Sequence, residues 1–241
     1  PIVAGKYLYR RMGLALENCG RDILFSACNW GNDDVYSWIR ESGAQMFRST
    51  GDIQDNWQSI KSIAESQIGR EAYGGVYCHN DMDMLVVGMH GCGDNAEVLG
   101  KVVGGCTDTE YKTHFALWSI MNSPLMIGCD VRKMSEAAKW ILTNKDVIAI
   151  NQDILGKAAE RKVMTDNYQI FVRPLADGSH AVALLNTSEK PLTLTADFAV
   201  LGISGKYTVR DVWQHKDVAR NASKWKGHVM PHETRVFVVK K

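Results

Sequence analysis

An apolar run, a polar loop and a helical stretch follow one another about four times between Tyr7 and Gly156, and no other feature restricts the fold as tightly. Tyr7–Leu16 carries Leu8, Met12, Ala15 and Leu16 at helical spacing, and Asn18-Cys19-Gly20 supplies the stop. Asp22–Cys28 then predicts a short buried strand that runs into the polar stretch Asn29–Asp34, with a helix over Val35–Ser42 closed by Gly43. The second cycle predicts a strand at Gln45–Thr50, a loop opening with Gly51-Asp52, and a helix over Trp57–Gln67 with Ile60, Ile63 and Ala64 on one face. The third places a strand at Val76-Tyr77-Cys78, before the polar cluster His79–Met84. A helix over Thr109–Met121 leads into a fourth strand, Pro124–Asp130, and another helix follows Ser135.

Cycles of this kind make parallel βα units, and polar residues just after each strand fall on the edge where βα barrels keep their chemistry. A complete eight-fold barrel takes about 250 residues. Here the βα part ends near Gly156, so half a barrel is expected. After Arg161 the pattern changes to β-rich segments, Tyr168–Arg173, His180–Asn186, Leu192–Ala196, Lys206–Asp211 and Arg235–Lys240, separated by turn signals such as Ala176-Asp177-Gly178. The expected fold is therefore α/β plus β: the second half of a (β/α)8 TIM barrel over residues 1–158, followed by an antiparallel β-sandwich domain over residues 159–241.

Composition narrows the partners. With 28 Lys and Arg against 27 Asp and Glu, the chain has no field to attract nucleic acid or an anionic membrane, and neutral partners fit better. Apolar runs such as Leu85–Val87 fall far short of the roughly 20 residues of a membrane helix. The first residues lack the order of a signal peptide, and Pro1 reads as the start of a processed or excised chain. The compartment stays open between a bacterial cytoplasm and secretion. Six cysteines (Cys19, Cys28, Cys78, Cys92, Cys106, Cys129) show no CxxC pair and no histidine cluster at zinc spacing, so free buried thiols and no metal site are expected.

Three clusters carry side chains suited to chemistry. Arg48 at a strand end and Asp52 in the following loop set a fork of donors beside a carboxylate. A lone Arg favours the ionised form of its neighbour, so a proton donor here needs an opposing negative group, which a second carboxylate about 5–5.5 Å away supplies in retaining glycosidases. The same two residues also suit a structural ion pair. In His79–Met84, Asp81 and Asp83 with Asn80 suit the gripping of sugar hydroxyls, although Asp81 equally suits capping a turn. In Cys28–Gly31, Trp30 either stacks on a sugar face or packs on the next helix. Asn151-Gln152-Asp153 suits a capping and junction role, Asp130 and Arg132 suit an ion pair, and His114 suits a core or interface histidine.

Together these stretches resemble glycoside hydrolase family 27, the α-galactosidase and α-N-acetylgalactosaminidase family. The matching motifs are Phe25–Gly31, Arg48–Ile53, Asn80–Leu85, Ala116–Trp118 through Gly128–Arg132, and Lys145–Gly156. The resemblance implies that Asp52 is the catalytic acid/base, with Arg48 binding sugar beside it, and that Asp83, with Met84 packing next to it, contacts substrate. It implies a double displacement with retention that needs no metal or organic cofactor. The family nucleophile is an Asp in a Lys-Tyr-Asp-like motif on the fourth barrel strand, a motif absent from this sequence. The expectation is thus the acid/base half of the site, inactive until an N-terminal barrel half joins it, with a noncatalytic carbohydrate-binding or scaffold fragment as the alternative. Asn29 stands where α-galactosidases commonly carry a Glu that reads the sugar 2-position, which keeps β-L-arabinopyranosides and α-N-acetylgalactosaminides open beside galactosides. At Ala44, some members have a Cys that pairs with the equivalent of Cys28, which favours free thiols here.

Overall fold

The computed structural model describes residues 2–92, 97–98, 101–102 and 104–241. Helix α1 (Ile2–Glu17) precedes three short strands, β1 (Ser26–Cys28), β2 (Met46–Arg48) and β3 (His79–Asp81). They form a parallel sheet in the order β1-β2-β3. At its centre Phe47 pairs with Ala27 on one side and Asn80 on the other, and its ring is fully buried. The fourth strand position is reduced to one parallel bridge between Leu85 and Ile127, held by Leu85 N–H to Met126 O and Gly128 N–H to Leu85 O. The expected Pro124–Asp130 strand is cut short at both ends: Pro124 lacks a donor, and Asp130 turns away to cap a 3₁₀ turn at Val131–Lys133.

Two other expectations shift. The third strand lies at His79–Asp81 and not at Val76–Cys78, because Gly75 and Cys78 exchange both backbone hydrogen bonds in a tight turn that leaves Tyr77 89% exposed. Val35–Ser42 forms two 3₁₀ turns, Val35–Ser37 and Ile39–Ser42, in place of one helix. They break at Trp38, whose indole Nε1 donates to Asp33 O at 2.8 Å and fixes a non-helical backbone. The helix α2 (Trp57–Ser66), capped by the Asn56 side chain, turns Ile60, Ile63 and Ala64 inward as its spacing requires. Strands β4 (Glu97–Val98) and β5 (Lys101–Val102) pair antiparallel.

Helix α3 (Asp108–Ile120) opens with a capping box between Thr107 and Glu110, then packs against α4 (Glu136–Leu142) and α5 (Lys145–Asn151). Tyr111 and every residue from Thr113 to Ile120 is buried, so the helix meets protein on all sides. On one side is a six-stranded antiparallel sheet in the order β11-β10-β13-β8-β7-β6, built from β6 (Glu160–Met164), β7 (Tyr168–Pro174), β8 (His180–Asn186), β10 (Tyr207–Asp211), β11 (Lys216–Ala222) and β13 (Thr234–Lys240). Strands β9 (Leu192–Asp197) and β12 (Lys224–Val229) pair into a second, two-stranded sheet. The unforeseen β6, β11 and β12 are charge-rich and largely exposed, which removes the apolar run that marks a strand and protects exposed backbone.

Alternation along β8 explains its uninterrupted apolar run. Val182 and Leu184 face the two-stranded sheet, whereas Ala181, Ala183 and Leu185 face the helices. On β7 the same alternation delivers Phe171 and Arg173 to the helical side. Arg173 is completely buried, and its guanidinium donates to Ser119 O (2.7 Å), Asn122 Oδ1 (2.9 Å) and Asn151 O (3.3 Å). Ser119 O and Asn151 O lie in the last turns of α3 and α5, where the helix dipoles are negative, so the cation sits where both helix ends favour it.

His114 sits in the α3 core, its Nε2 accepting from Val86 N–H at 3.1 Å and its ring edge-on to Trp118. Burial drives its pKa down to about 3. All six cysteines are free; Cys78 and Cys106 are buried, and burial pushes the Cys78 thiol up to about 11. Cys19, Cys28 and Cys92 are exposed, against the expectation of burial, because each lies in or beside a loop. No helix among the described residues is long and apolar enough to cross a membrane.

Arg173→Met is expected to cost about 2–3 kcal/mol, since it takes the donor away from Asn122 Oδ1 and Asn151 O; urea unfolding measures this. His114 stays neutral in the fold but protonates on unfolding near the ordinary pKa of about 6.5. Stability is therefore present above that pH and falls as pH drops through it toward 3, by up to about 1.4 kcal/mol per pH unit. His114→Gln should flatten that slope in an acid series of unfolding curves.

Candidate active site

The C-terminal ends of β1, β2 and β3 bring three loops to one edge. Gly31 makes this approach possible: its φ is 80°, and a Cβ there would come within 2.5 Å of Ser49 O, so the loop after β1 can lie against the loop after β2 only with glycine at that position. Thr50 Oγ1 donates to Met82 O at 3.1 Å and ties the second loop to the third.

Arg48, the last residue of β2, is the hub. Its Nε donates to Thr50 O at 3.0 Å, which fixes the plane of the guanidinium. Nη1 pairs with Asp83 Oδ1 at 2.8 Å, and Nη2 pairs with Asp52. One rigid fork thus holds two carboxylates from two loops. Their surroundings differ sharply. The Asp83 side chain is 10% exposed, whereas that of Asp52 is 64% exposed and opens onto a hollow beside Gly51.

Asp83 is held on every side. Its Oδ2 accepts from Ile53 N–H at 2.7 Å, Oδ1 also accepts from Met84 N–H at 2.6 Å, and its backbone oxygen accepts from the Trp118 indole at 2.7 Å. Its own N–H donates to Asp81 Oδ1 at 2.9 Å. These bonds stabilise a φ of 90°, a region that a non-glycine residue adopts at a cost of about 1–3 kcal/mol. Asp81 therefore takes the turn-capping role, and burial raises its pKa, with the negative charge of Asp83 adding to the shift.

Met84 lies partly buried against the core, over Gly128, where a Cβ would come within 2.7 Å of its sulfur. Asn29 has one amide proton bonded to Asn32 O (2.7 Å), and its Oδ1 accepts from Gly31 N–H (3.2 Å), so part of its side chain closes its own loop. Trp30 is 58% exposed at a φ of 59° and lines the same hollow as Asp52. Asp130 and Arg132 form a solvent-exposed pair, and Asp153 bridges Leu155 N–H and Ala176 N–H where the helices meet the sheet.

Sequence reasoning passed over the supports of this site. Asp55 is fully buried and accepts from Tyr111 Oη (2.9 Å), Gly91 N–H (2.8 Å) and Cys106 N–H (3.2 Å), pinning both ends of the segment between β3 and α3. Trp118 and Tyr111 lay within a helix whose apolar residues looked like core alone. A carboxylate three residues after Asp52 was the one available signal, and sequence gives no way to tell which of the two is buried.

The chain matches the family profile described as Alpha galactosidase A over residues 3–153, and the Alpha galactosidase C-terminal beta sandwich domain over residues 165–239. It is 38% identical over 234 residues to an alpha-galactosidase of Oryza sativa subsp. japonica, covering 96% of this chain and 52% of the relative. Alpha-galactosidase 3 of Arabidopsis thaliana is 39% identical, with 96% of this chain and 51% of the relative covered. Among solved structures, alpha-galactosidase I from Mortierella vinacea superposes with a TM-score of 0.86 at 27% identity, covering 99% of this chain and 64% of that one. A β-L-arabinopyranosidase from Geobacillus stearothermophilus gives 0.85 at 25% identity, covering 98% and 54%. The chain spans about half the length of the curated relatives it matches.

Because the folded pKa of Asp81 is raised, its ionisation opposes folding: the penalty is absent below the unfolded value of 3.8 and grows as pH rises. Asp81→Asn, which keeps an oxygen acceptor for Asp83 N–H, is expected to stabilise the chain at pH 7 and to lose that advantage near pH 3.5. Asp81→Ala, which deletes the acceptor, should cost about 1–2 kcal/mol relative to Asn. Thermal unfolding at the two pH values separates the variants.

Proposed function

Because the chain belongs to glycoside hydrolase family 27, the α-galactosidase family, we propose that it supplies the acid/base side of a retaining exo-glycoside hydrolase acting on terminal α-linked galactose. One observation carries the reading: at the C-terminal edge of the parallel strands Arg48 holds two carboxylates, and of the two Asp52 is exposed and lines an open hollow. In this reading Asp52 gives its proton to the glycosidic oxygen as the bond to the sugar breaks. It then takes a proton from the water that releases the sugar from the enzyme. Arg48 and Asp83 shape the wall against which the sugar hydroxyls lie, with Met84, Asn29 and Trp30 lining its surroundings. No metal or organic cofactor takes part.

The carboxylate that forms the glycosyl-enzyme intermediate is assigned to the part of the family barrel that this chain does not span, as are the βα units that close the barrel. Residues 1–158 then form the barrel half and residues 159–241 the sandwich domain. A second substrate reading rests on Asn29 and on the likeness to the arabinopyranosidase. A β-L-arabinopyranoside presents the galactose ring without its hydroxymethyl group, and Asn29 keeps one amide proton for the 2-position.

Joined to the remaining barrel half, the chain is expected to cleave a nitrophenyl α-galactoside or its arabinopyranoside counterpart, and Asp52→Asn to lower the rate by about 10²–10⁴-fold. A complex that binds galactose but cleaves neither substrate, or one in which Asp52→Asn leaves turnover unchanged, would identify a noncatalytic sugar-binding module instead.

A further inference from the structure

We propose that the outer face of the ribbon formed by β9 and β12 is a docking surface for an acidic polysaccharide, a chain of hydroxyl-rich units that each carry a carboxylate. The proposal goes beyond the glycosidase reading and does not depend on it. Charge is its starting point. The near balance of 28 basic and 27 acidic residues divides unevenly: residues 1–158 hold 15 Lys and Arg against 19 Asp and Glu, whereas residues 159–241 hold 13 against 8. The sandwich domain is cationic and the barrel half anionic, so a polyanion meets an attractive field on the sandwich side.

The ribbon gathers unpaired charge on one face. Strand alternation turns Leu194, Ala196, Trp225 and Val229 toward the six-stranded sheet and leaves Thr193, Thr195, Lys224, Lys226 and His228 exposed on the other side. Lys226 pairs with Thr195 and His228 with Thr193 across the ribbon, so a row of basic side chains runs beside a row of hydroxyls. Asp197, opposite Lys224, is the one carboxylate of the two rows, and its Oδ1 is taken by Ala199 N–H (3.1 Å) and Val200 N–H (3.4 Å) of the following turn. The ion pairs of the sandwich use other cations, and among the described residues they leave Lys224 and Lys226 unpaired. On β8, Val182 and Leu184 face the ribbon whereas Ala181, Ala183 and Leu185 face the helices, so this surface lies on the far side of the sandwich from the barrel strands.

The chemistry of the two rows selects among anions. A surface that serves solubility alone intersperses both signs of charge. Here one sign prevails, beside hydroxyls that both donate and accept. A uronic acid unit offers the complement of each row: a carboxylate that accepts a charge-assisted hydrogen bond from an ammonium, and a rim of hydroxyls for the threonines. Thr193 Oγ1 lies 3.2 Å from His228 Nδ1, which keeps the imidazole alongside the hydroxyl row. Single-stranded nucleic acid is held on aromatic platforms that stack its bases. The ribbon's indole, Trp225, turns inward instead, with its ring centroid 4.5 Å from that of Phe237.

Titration of the chain with alginate, a polymer of uronic acids, tests the surface without turnover, with neutral dextran as the uncharged counterpart. Saturable binding of alginate and none of dextran is expected. The double variant Lys224→Gln and Lys226→Gln changes two exposed side chains and no core contact, and should weaken binding by about tenfold or more. Raising NaCl from about 20 to about 300 mM should act in the same direction, because exposed charges are screened over shorter distances. A thermal unfolding midpoint shared by the variant and the parent assigns the loss to the surface and not to the fold. Absence of alginate binding at low salt, or binding undiminished in the double variant, overturns the proposal. So does competition by duplex DNA or phosphatidylserine vesicles as effective as that of alginate at equal charge, which would mark a general cationic surface. Alginate carries no galactose, so none of these outcomes bears on whether Asp52 turns over a galactoside.

Discussion

Helix α3 is wedged between the six-stranded sheet and the barrel strands, and the geometry of the catalytic edge depends on that wedge. Its burial on all sides gives it one position, set by Ala181, Ala183 and Leu185 of β8 and fixed at its C-terminal end by Arg173. From that position three side chains reach the loops of the candidate site. The Trp118 indole holds Asp83 O, the His114 imidazole holds Val86 N–H, and Tyr111 Oη joins Asp55 to His90. Asp83 in turn orients Arg48, and Arg48 orients Asp52. A β-sandwich with no residue at the site thus determines where a carboxylate on another domain points.

Much of this was legible in the sequence, and the missed parts share a cause. Helical periodicity in Trp57–Gln67 and the β-rich run His180–Asn186 are local patterns that the structure follows closely. The Arg48 and Asp52 pairing was readable because a fork and a carboxylate four residues apart across a tight turn have few other ways to arrange themselves. The third strand was displaced because Val76-Tyr77-Cys78 has strand propensity but a turn claims its backbone. The 3₁₀ turns at Val35–Ser42 arise from a contact between Trp38 and Asp33 O that leaves no period in the sequence. Arg173 shows the same limit more sharply. Its placement in a β-strand was predictable, but its complete burial depends on two helix ends far away in the chain.

Within the proposed mechanism, the contrast between the two carboxylates on Arg48 accounts for their division of labour. A group that passes a proton in both directions needs an oxygen that is not saturated by fixed donors, and water or substrate within reach. Asp83 accepts from Arg48, Ile53 N–H and Met84 N–H and is nearly closed to solvent, so it lacks both. Its bonds instead hold a left-handed backbone that the neighbouring loops must all support. Asp52 has Arg48 for its protein partner and stands exposed beside the open hollow. The same guanidinium therefore does two different things: on the buried side it completes a rigid frame, and on the open side it aims a carboxylate while leaving room for a reacting oxygen. Preorganisation of this kind is effective because the frame forms as the chain folds and needs no rearrangement when the glycosidic bond breaks.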